Sequence, residues 1–174
     1  VSRSSMTSVA LLELLFEHVW KASPHFVAGD AEITDIDRFE AGTARLVIGD
    51  AALVLAHSAA YPYVYDLGAV WKDWTDLPFV FAVWVARRSV NVAAALGVHA
   101  RLIQSRDWGV ANLDVLAQQA SAAMGVPLDS CEEYLSGLDY GLSYPHLAGL
   151  TEFFRRLVQR GRVPNGTLSF LTAA

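Results

Sequence analysis

Cysteine is nearly absent. Cys131 stands alone in 174 residues, so no intrachain disulfide can form and the chain suits a reducing compartment. Positive charge is also short: 13 lysines and arginines against 18 aspartates and glutamates leave a formal net charge of −5. No basic stripe rises above that background, which argues against a nucleic-acid partner or an anionic membrane surface. Long hydrophobic runs are missing too. The longest uncharged apolar run, Leu77 to Ala86, has ten residues, against the roughly 20 needed to cross a bilayer. Near the start, Val9 to Phe16 is apolar but broken by Glu13, with no cleavage-like site after it. No secretory signal is read, and a cytoplasmic location is expected.

Motifs that carry chemistry are equally scarce. The chain has no G-x-S-x-G, no P-loop and no G-x-G-x-x-G. The five histidines, His18, His25, His57, His99 and His146, are scattered, and none has a partner at metal-ligand spacing on a supporting element. No metal and no cofactor are expected. His57 suits a helix end, where the dipole favours it, as well as a cleft. Cys131 has no basic neighbour in sequence and reads as a small buried residue.

What is present is apolar material for a core. Hydrophobic residues make up 53% of the chain and charged residues 18%, which fits one domain or two small lobes. The organising stretch runs from Tyr65 to Arg88. Its first half carries Asp66-Leu67-Gly68, then Trp71 and Trp74 three apart, then Thr75-Asp76 before Pro78. That pattern predicts a short amphipathic helix packing two indoles, stopped by the residues before proline. Its second half, Leu77 to Ala86, is rich in β-branched and aromatic side chains and reads as a strand buried on both faces.

In chain order, Val9, Leu12, Phe16 and Val19 recur at helical spacing from Thr7 to Lys21, with Leu11 and Leu15 widening the stripe. Ala31 to Thr34 reads as a strand, Asp35 to Ala41 as a helix, Arg45 to Ile48 as a second strand, and Ala51 to Ala56 as a helix. Strands alternating with helices predict βαβ units and a parallel sheet. From Val90 onward the pattern is helical: Val90 to Ser105, Asn112 to Met124 closed by Gly125 and Pro127, Ser130 to about Leu138 behind Asp129, and a last helix opened by Ser143 and Pro145. That last helix packs Leu147, Leu150, Phe153, Phe154 and Leu157, and its Arg155, Arg156 and Arg160 read as a solvated face.

Two places carry candidate site residues. Ser4, Ser5, Thr7 and Ser8 put four hydroxyl side chains into five positions at a helix N-terminus. Capping needs one of them. The remainder, with free N–H groups and the positive end of the dipole, would suit a carboxylate or phosphate. Gly49-Asp50 follows the Arg45–Ile48 segment, where ligands sit beyond the carboxyl ends of strands in open α/β sheets. Gly49 would let a ligand approach the backbone, or serve a tight turn. Asp50 would cap the next helix.

The series Asp66-Leu67-Gly68, Trp71, Trp74-Thr75 and Leu77-Pro78-Phe79-Val80-Phe81-Ala82-Val83-Trp84 resembles the signature of chorismate dehydratase, the enzyme that opens the futalosine route to menaquinone (MqnA type). The likeness covers nearly all of this chain and the C-terminal part of the family's length. It implies a periplasmic-binding-protein-like (type II) two-lobed α/β fold, with the N-terminal half of the first lobe missing. Residues 1–77 would form the second lobe, and residues 78–174 the return strand and C-terminal helices of the first. The implied reaction turns chorismate into 3-[(1-carboxyvinyl)oxy]benzoate plus water.

In that family a run similar to Ser4–Ser8 lies in the interlobe cleft and is implicated in holding the substrate; Met6 stands where the family commonly has arginine. The sister enzyme of the pathway carries a catalytic histidine near the strand end where this chain has Gly49-Asp50, which favours the dehydratase. The expected substrate-binding residues are thus Ser4, Ser5, Thr7, Ser8, Gly49 and Asp50. The family is thought to use an asparagine near its N-terminus with help from a substrate carboxylate, and that asparagine lies outside this chain, so no catalytic residue is assigned. The chain alone is expected to be an incomplete catalyst, completed by self-association or by a separate N-terminal lobe. The alternative is a non-catalytic solute-binding module on the same fold. The expected partner is a small dianion, chorismate, with neither nucleic acid nor membrane.

Overall fold

In a computed structural model, residues 5–29, 42–56 and 61–171 are described. Their regular structure is helical: α1 (Met6–Leu15) running into a π-helical turn (Phe16–Trp20), α2 (Asp50–Ala56), α3 (Leu67–Thr75), α4 (Val92–Ala111), α5 (Leu113–Met124), α6 (Leu128–Gly137) and α7 (Tyr144–Gln159). Contacts divide the chain into two units, Val1–Phe81 with Leu142–Pro164, and Ala82–Gly141 with Asn165–Ala174.

The periplasmic-binding-protein-like α/β fold expected from the sequence is overturned. Among the described residues there is no sheet, and Gly29 alone carries an isolated bridge. Arg45–Ile48 is not a strand, and neither is Leu77–Ala86. The physical reason is that an apolar, β-branched run reports what a segment would bury, whereas a strand exists only where a second backbone supplies its ladder. The predicted strand 31–34 and helix 35–41 lie outside the described residues, as do Ser4 and His57.

The first unit is built on α1, α3 and α7. Leu11, Leu14 and Leu15 of α1 are fully buried, at the three- and four-residue spacing that puts them on one face. They meet Trp71 of α3 and Phe153 and Leu157 of α7 in one cluster, flanked by Trp74 and Phe79. Burying side chains of this size stabilises by about 1.5–3 kcal/mol each. Each helix has a local reason to start where it does. Asp66 Oδ1 accepts from the N–H groups of Gly68 (2.7 Å) and Ala69 (3.1 Å) at α3. At α7 the Ser143 N–H donates to His146 Nδ1 (3.2 Å), and the Ser143 hydroxyl lies 2.8 Å from that nitrogen. The exits are as specific. Asp76 ends α3 in the left-handed region (φ 57), where Lys72 Nζ bonds its carboxylate at 2.7 Å. Thr75 Oγ1 donates to Trp71 O and accepts from the Leu77 N–H, turning the chain toward Pro78.

One approach in this unit has no local sequence signal. A Cβ on Gly149, one turn into α7, would fall 2.0 Å from the Pro78 carbonyl oxygen. Only glycine lets the segment after α3 lie against α7. Gly68 has a milder version of the same role, since its Cβ would sit 3.1 Å from the Phe81 ring.

The second unit holds α4, α5 and α6. Asn91 Oδ1 caps α4 by accepting from Ala94 N–H (3.1 Å). α5 ends at Gly125 in the left-handed region (φ 69), as its glycine predicts. α5 packs on α6 around Ala117, Val126 and Cys131, and Ser121 Oγ donates to Val126 O at 2.7 Å across the turn. Asp129 falls inside the first turn of α6 and Pro127 takes the cap position instead.

Candidate functional site

At the start of α1, Ser5 is the cap. Its backbone is extended (φ −124, ψ 93), its Oγ accepts from the Ser8 N–H at 3.3 Å, and it donates to Ser8 Oγ at 2.8 Å. Ser8 is 9% exposed, so it acts inward, locking the cap from behind. Thr7 is half-buried and its hydroxyl has no hydrogen-bond partner among the described residues. Met6, 87% exposed, points its side chain into solvent. The first turn of α1 holds no acidic residue to repel an anion. The four hydroxyls therefore divide: Ser5 and Ser8 shape the helix end, Thr7 is half-buried on the face of Leu11 and Leu14, and Ser4 is outside the described residues.

Gly49 and Asp50 start α2. Gly49 O accepts from Ala52 N–H (3.0 Å) and Leu53 N–H (3.4 Å), and Gly49 itself is left-handed (φ 65). A Cβ there would meet nothing within 4 Å, so the backbone angle demands glycine and the space above it is open. Asp50 is the first helical residue, exposed, and complements the dipole from there without acting as the cap. No hydrogen bond joins this turn to the α1 start among the described residues.

Behind α1 lies an aromatic wall. Trp71 meets Phe79 (5.5 Å), Trp74 (5.6 Å) and Phe153 (6.0 Å) edge to face. The Trp71 Nε1–H is buried and has no acceptor among the described residues. An unpaired buried donor costs about 1–3 kcal/mol, which the packing of that ring has to exceed. Trp74 holds the His18 imidazole stacked at 5.1 Å and the Arg156 guanidinium 3.9 Å from its ring centre.

The arginine face of α7 is only partly solvated. Arg155 lies outward, bound to Glu152 at 2.6 Å. Arg156 turns inward to Trp74 while reaching Glu152 at 2.8 Å. Arg160 approaches Glu13 (3.9 Å) and Glu17 (3.4 Å), and Arg162 grips Glu13 from beyond the end of α7. α7 is tied to α1 and α3 by charge as well as by its apolar stripe. The hydrogen bond from Arg155, with the charge of Arg156 beside it, holds the Glu152 carboxyl below the usual carboxylate range against the opposing effect of partial burial.

In the second unit a shallow depression of about 170 Å³ opens at the α4–α5 corner, lined in part by Arg106, Leu113, Leu116 and Tyr140. Arg106 is already held by Asp107 at 2.6 Å. Among the described residues no three histidine, cysteine, aspartate or glutamate side chains converge to hold a metal ion, and no helix is long and apolar enough to cross a membrane.

Residues 1–159 match the model of a family described as menaquinone biosynthesis, and the chain belongs to that family. Among individual relatives, a chorismate dehydratase of Thermus thermophilus is 31% identical over 173 residues, an alignment covering 90% of this chain and 61% of the relative's length. The chain thus spans under two thirds of that enzyme.

Proposed function

We propose that this chain acts on chorismate in menaquinone biosynthesis, as a cytoplasmic hydro-lyase that removes water to give 3-[(1-carboxyvinyl)oxy]benzoate. The observation that carries the reading is the likeness to the Thermus dehydratase within a menaquinone-biosynthesis family. The reaction removes a ring proton and the ring hydroxyl, and formation of an aromatic ring supplies the driving force. The protein's task is then to hold a dianion in one orientation and keep water out, which asks for neither a metal nor a strong acid.

The start of α1 suits that task. Its unengaged groups are the half-buried Thr7 hydroxyl and the free N–H groups of the first turn, and the helix dipole favours a carboxylate there. Ser5 and Ser8 hold these donors in place through their own hydrogen bonds. Ser4 and the open backbone at Gly49-Asp50 complete the proposed binding set, with Gly49 offering a side-chain-free surface to the ligand ring.

The test is chorismate itself. Calorimetric titration measures binding, and chromatography of the same mixture measures product. In a version of the enzyme spanning the full length of its Thermus relative, binding accompanied by 3-[(1-carboxyvinyl)oxy]benzoate is the expected result, and binding with no conversion would remove the dehydratase assignment. Replacing Thr7 and Ser8 together by alanine is expected to weaken binding about fivefold or more, since one lost hydrogen bond is worth about 1 kcal/mol. An affinity that stays within about threefold, less than that single bond, would take the α1 start out of the site.

A further inference from the structure

Within the first unit, α7 ends in a turn whose geometry serves α1. Gly161 is left-handed (φ 66), its N–H donates to Val158 O at 2.9 Å, and the Arg162 N–H reaches back to Leu157 O at 2.9 Å. A glycine in that conformation reverses the chain at a helix C-terminus. The reversal sends Val163 onto the apolar cluster and brings the Arg162 guanidinium to Glu13 of α1, where Nη2 donates to both carboxylate oxygens. Arg160, just before the turn, places Nη1 3.9 Å from the same carboxylate and Nη2 3.4 Å from Glu17. The Glu13 side chain is only 14% exposed. α1 thus keeps a largely buried carboxylate between two arginines from the end of α7.

Apolar packing is non-directional, and a row of leucines accepts more than one axial offset against a neighbouring helix. A carboxylate held by two guanidinium groups accepts one. Fixing register is the best-attested use of a buried ion pair, whose net contribution to stability is small. Glu13 lies seven residues after Met6 on the same helix, two turns or about 10 Å along its axis. An axial shift at Glu13 is therefore the same shift at the first turn. We propose that Glu13 is a positioning residue: clamped by Arg160 and Arg162, it sets the axial register of α1 and so the place of the donors at that helix's start. The proposal rests on the reading that the dianion binds there, and it adds what holds the donors in position. A displacement of about 1 Å at such groups is enough to cost a large factor.

Calorimetric titration of chorismate into a version spanning the full length of the Thermus relative tests this, beside thermal unfolding of each variant. Glu13→Gln keeps the side chain's shape and removes its charge. It should weaken chorismate about fivefold or more, as losing one hydrogen bond to the dianion would. Arg162→Gln should do the same, and the two together should cost little more than either alone, because they break one clamp. Leu150→Val is the control: it trims a buried side chain of α7 ten residues before Arg160. It should lower the melting temperature and leave affinity within about twofold of the parent. If Glu13→Gln does not fold, Gly161→Ala replaces it. That variant keeps every charge and strains only the turn that returns Arg162, since a Cβ there meets nothing within 4 Å. Unchanged affinity in the clamp variants overturns the proposal. So does a Leu150→Val variant that loses affinity to the same extent, which would make the effect one of stability alone. A parent that binds no chorismate removes the α1 site itself and this proposal with it, so the two failures are told apart.

Discussion

Around Trp71, three helices deliver side chains that are 0–6% exposed, whereas α4, the longest helix at 20 residues, buries none of its side chains. Both regions read as helix in sequence, and both are helix. The difference lies in what each helix carries. α7 concentrates Leu150, Phe153 and Leu157 on one stripe, and α1 offers three leucines to meet them. α4 is written mainly in alanine, glycine and valine with arginines among them, so it forms from local propensity and the Asn91 cap and presents little that is worth burying. A helical pattern and a core-forming pattern are separate properties of a sequence.

Paired substitutions sharpen that contrast. The largest effect is expected for Leu14→Ala, which should cost about 2–5 kcal/mol by opening a cavity in a fully buried site. Val98→Ala, at a position 61% exposed, should fall within about 0.5 kcal/mol of the parent. Urea unfolding followed by tryptophan fluorescence and circular dichroism measures both, and similar costs at the two sites would erase the distinction.

Glycines give a smaller and oppositely signed pair. Gly149→Ala should destabilise by about 1–3 kcal/mol, because the added methyl must push the Pro78 carbonyl away. Gly97→Ala in α4, where a Cβ meets nothing within 4 Å, should stabilise by about 0.5–1 kcal/mol through helix propensity. Thermal unfolding of the two variants reads the sign directly; a stabilising Gly149→Ala would mean that α7 and the segment after α3 do not touch.

The smallest effect concerns charge. The Glu152 carboxyl is held below its ordinary range in the folded chain, so its stabilising contribution is present above the unfolded value and is lost as pH falls through the folded one. Glu152→Gln should lower stability at neutral pH by less than about 1 kcal/mol after solvent screening, and the two stability-versus-pH curves should converge in acid. Parallel curves down to low pH would show that the Arg155 and Arg156 contacts contribute nothing.

Much of the helical layout was legible because its signals are local. Asp66 before α3, Ser143 and Pro145 at α7, and Gly125 after α5 act within a few residues of themselves. The dense pairing of Trp71 with Trp74 followed from their spacing. Features set by distant chain were not legible. Nothing near Gly149 announces Pro78, and nothing near Glu13 announces Arg162, 149 residues away. The run 77–86 misled for the same reason: its composition fits a buried strand, but pairing is a property of two segments, and Phe79 alone found cover in the core. At the candidate site the hydroxyl cluster was visible, while the depth of each hydroxyl depended on the turn of α1: Ser8 is buried, and Thr7 is half-buried on the side that Leu11 and Leu14 bury.

Amide hydrogen exchange with and without chorismate tests the central claim most directly, because it reads the core and the site in one experiment. Without ligand, the amides of α1, α3 and α7 should exchange slowly and those of α4 quickly. With chorismate, exchange at residues 6–9 should slow further while α4 stays unchanged. Saturating chorismate that leaves residues 6–9 unaltered, or that protects α4 to α6 instead, would contradict the placement of the dianion at the start of α1.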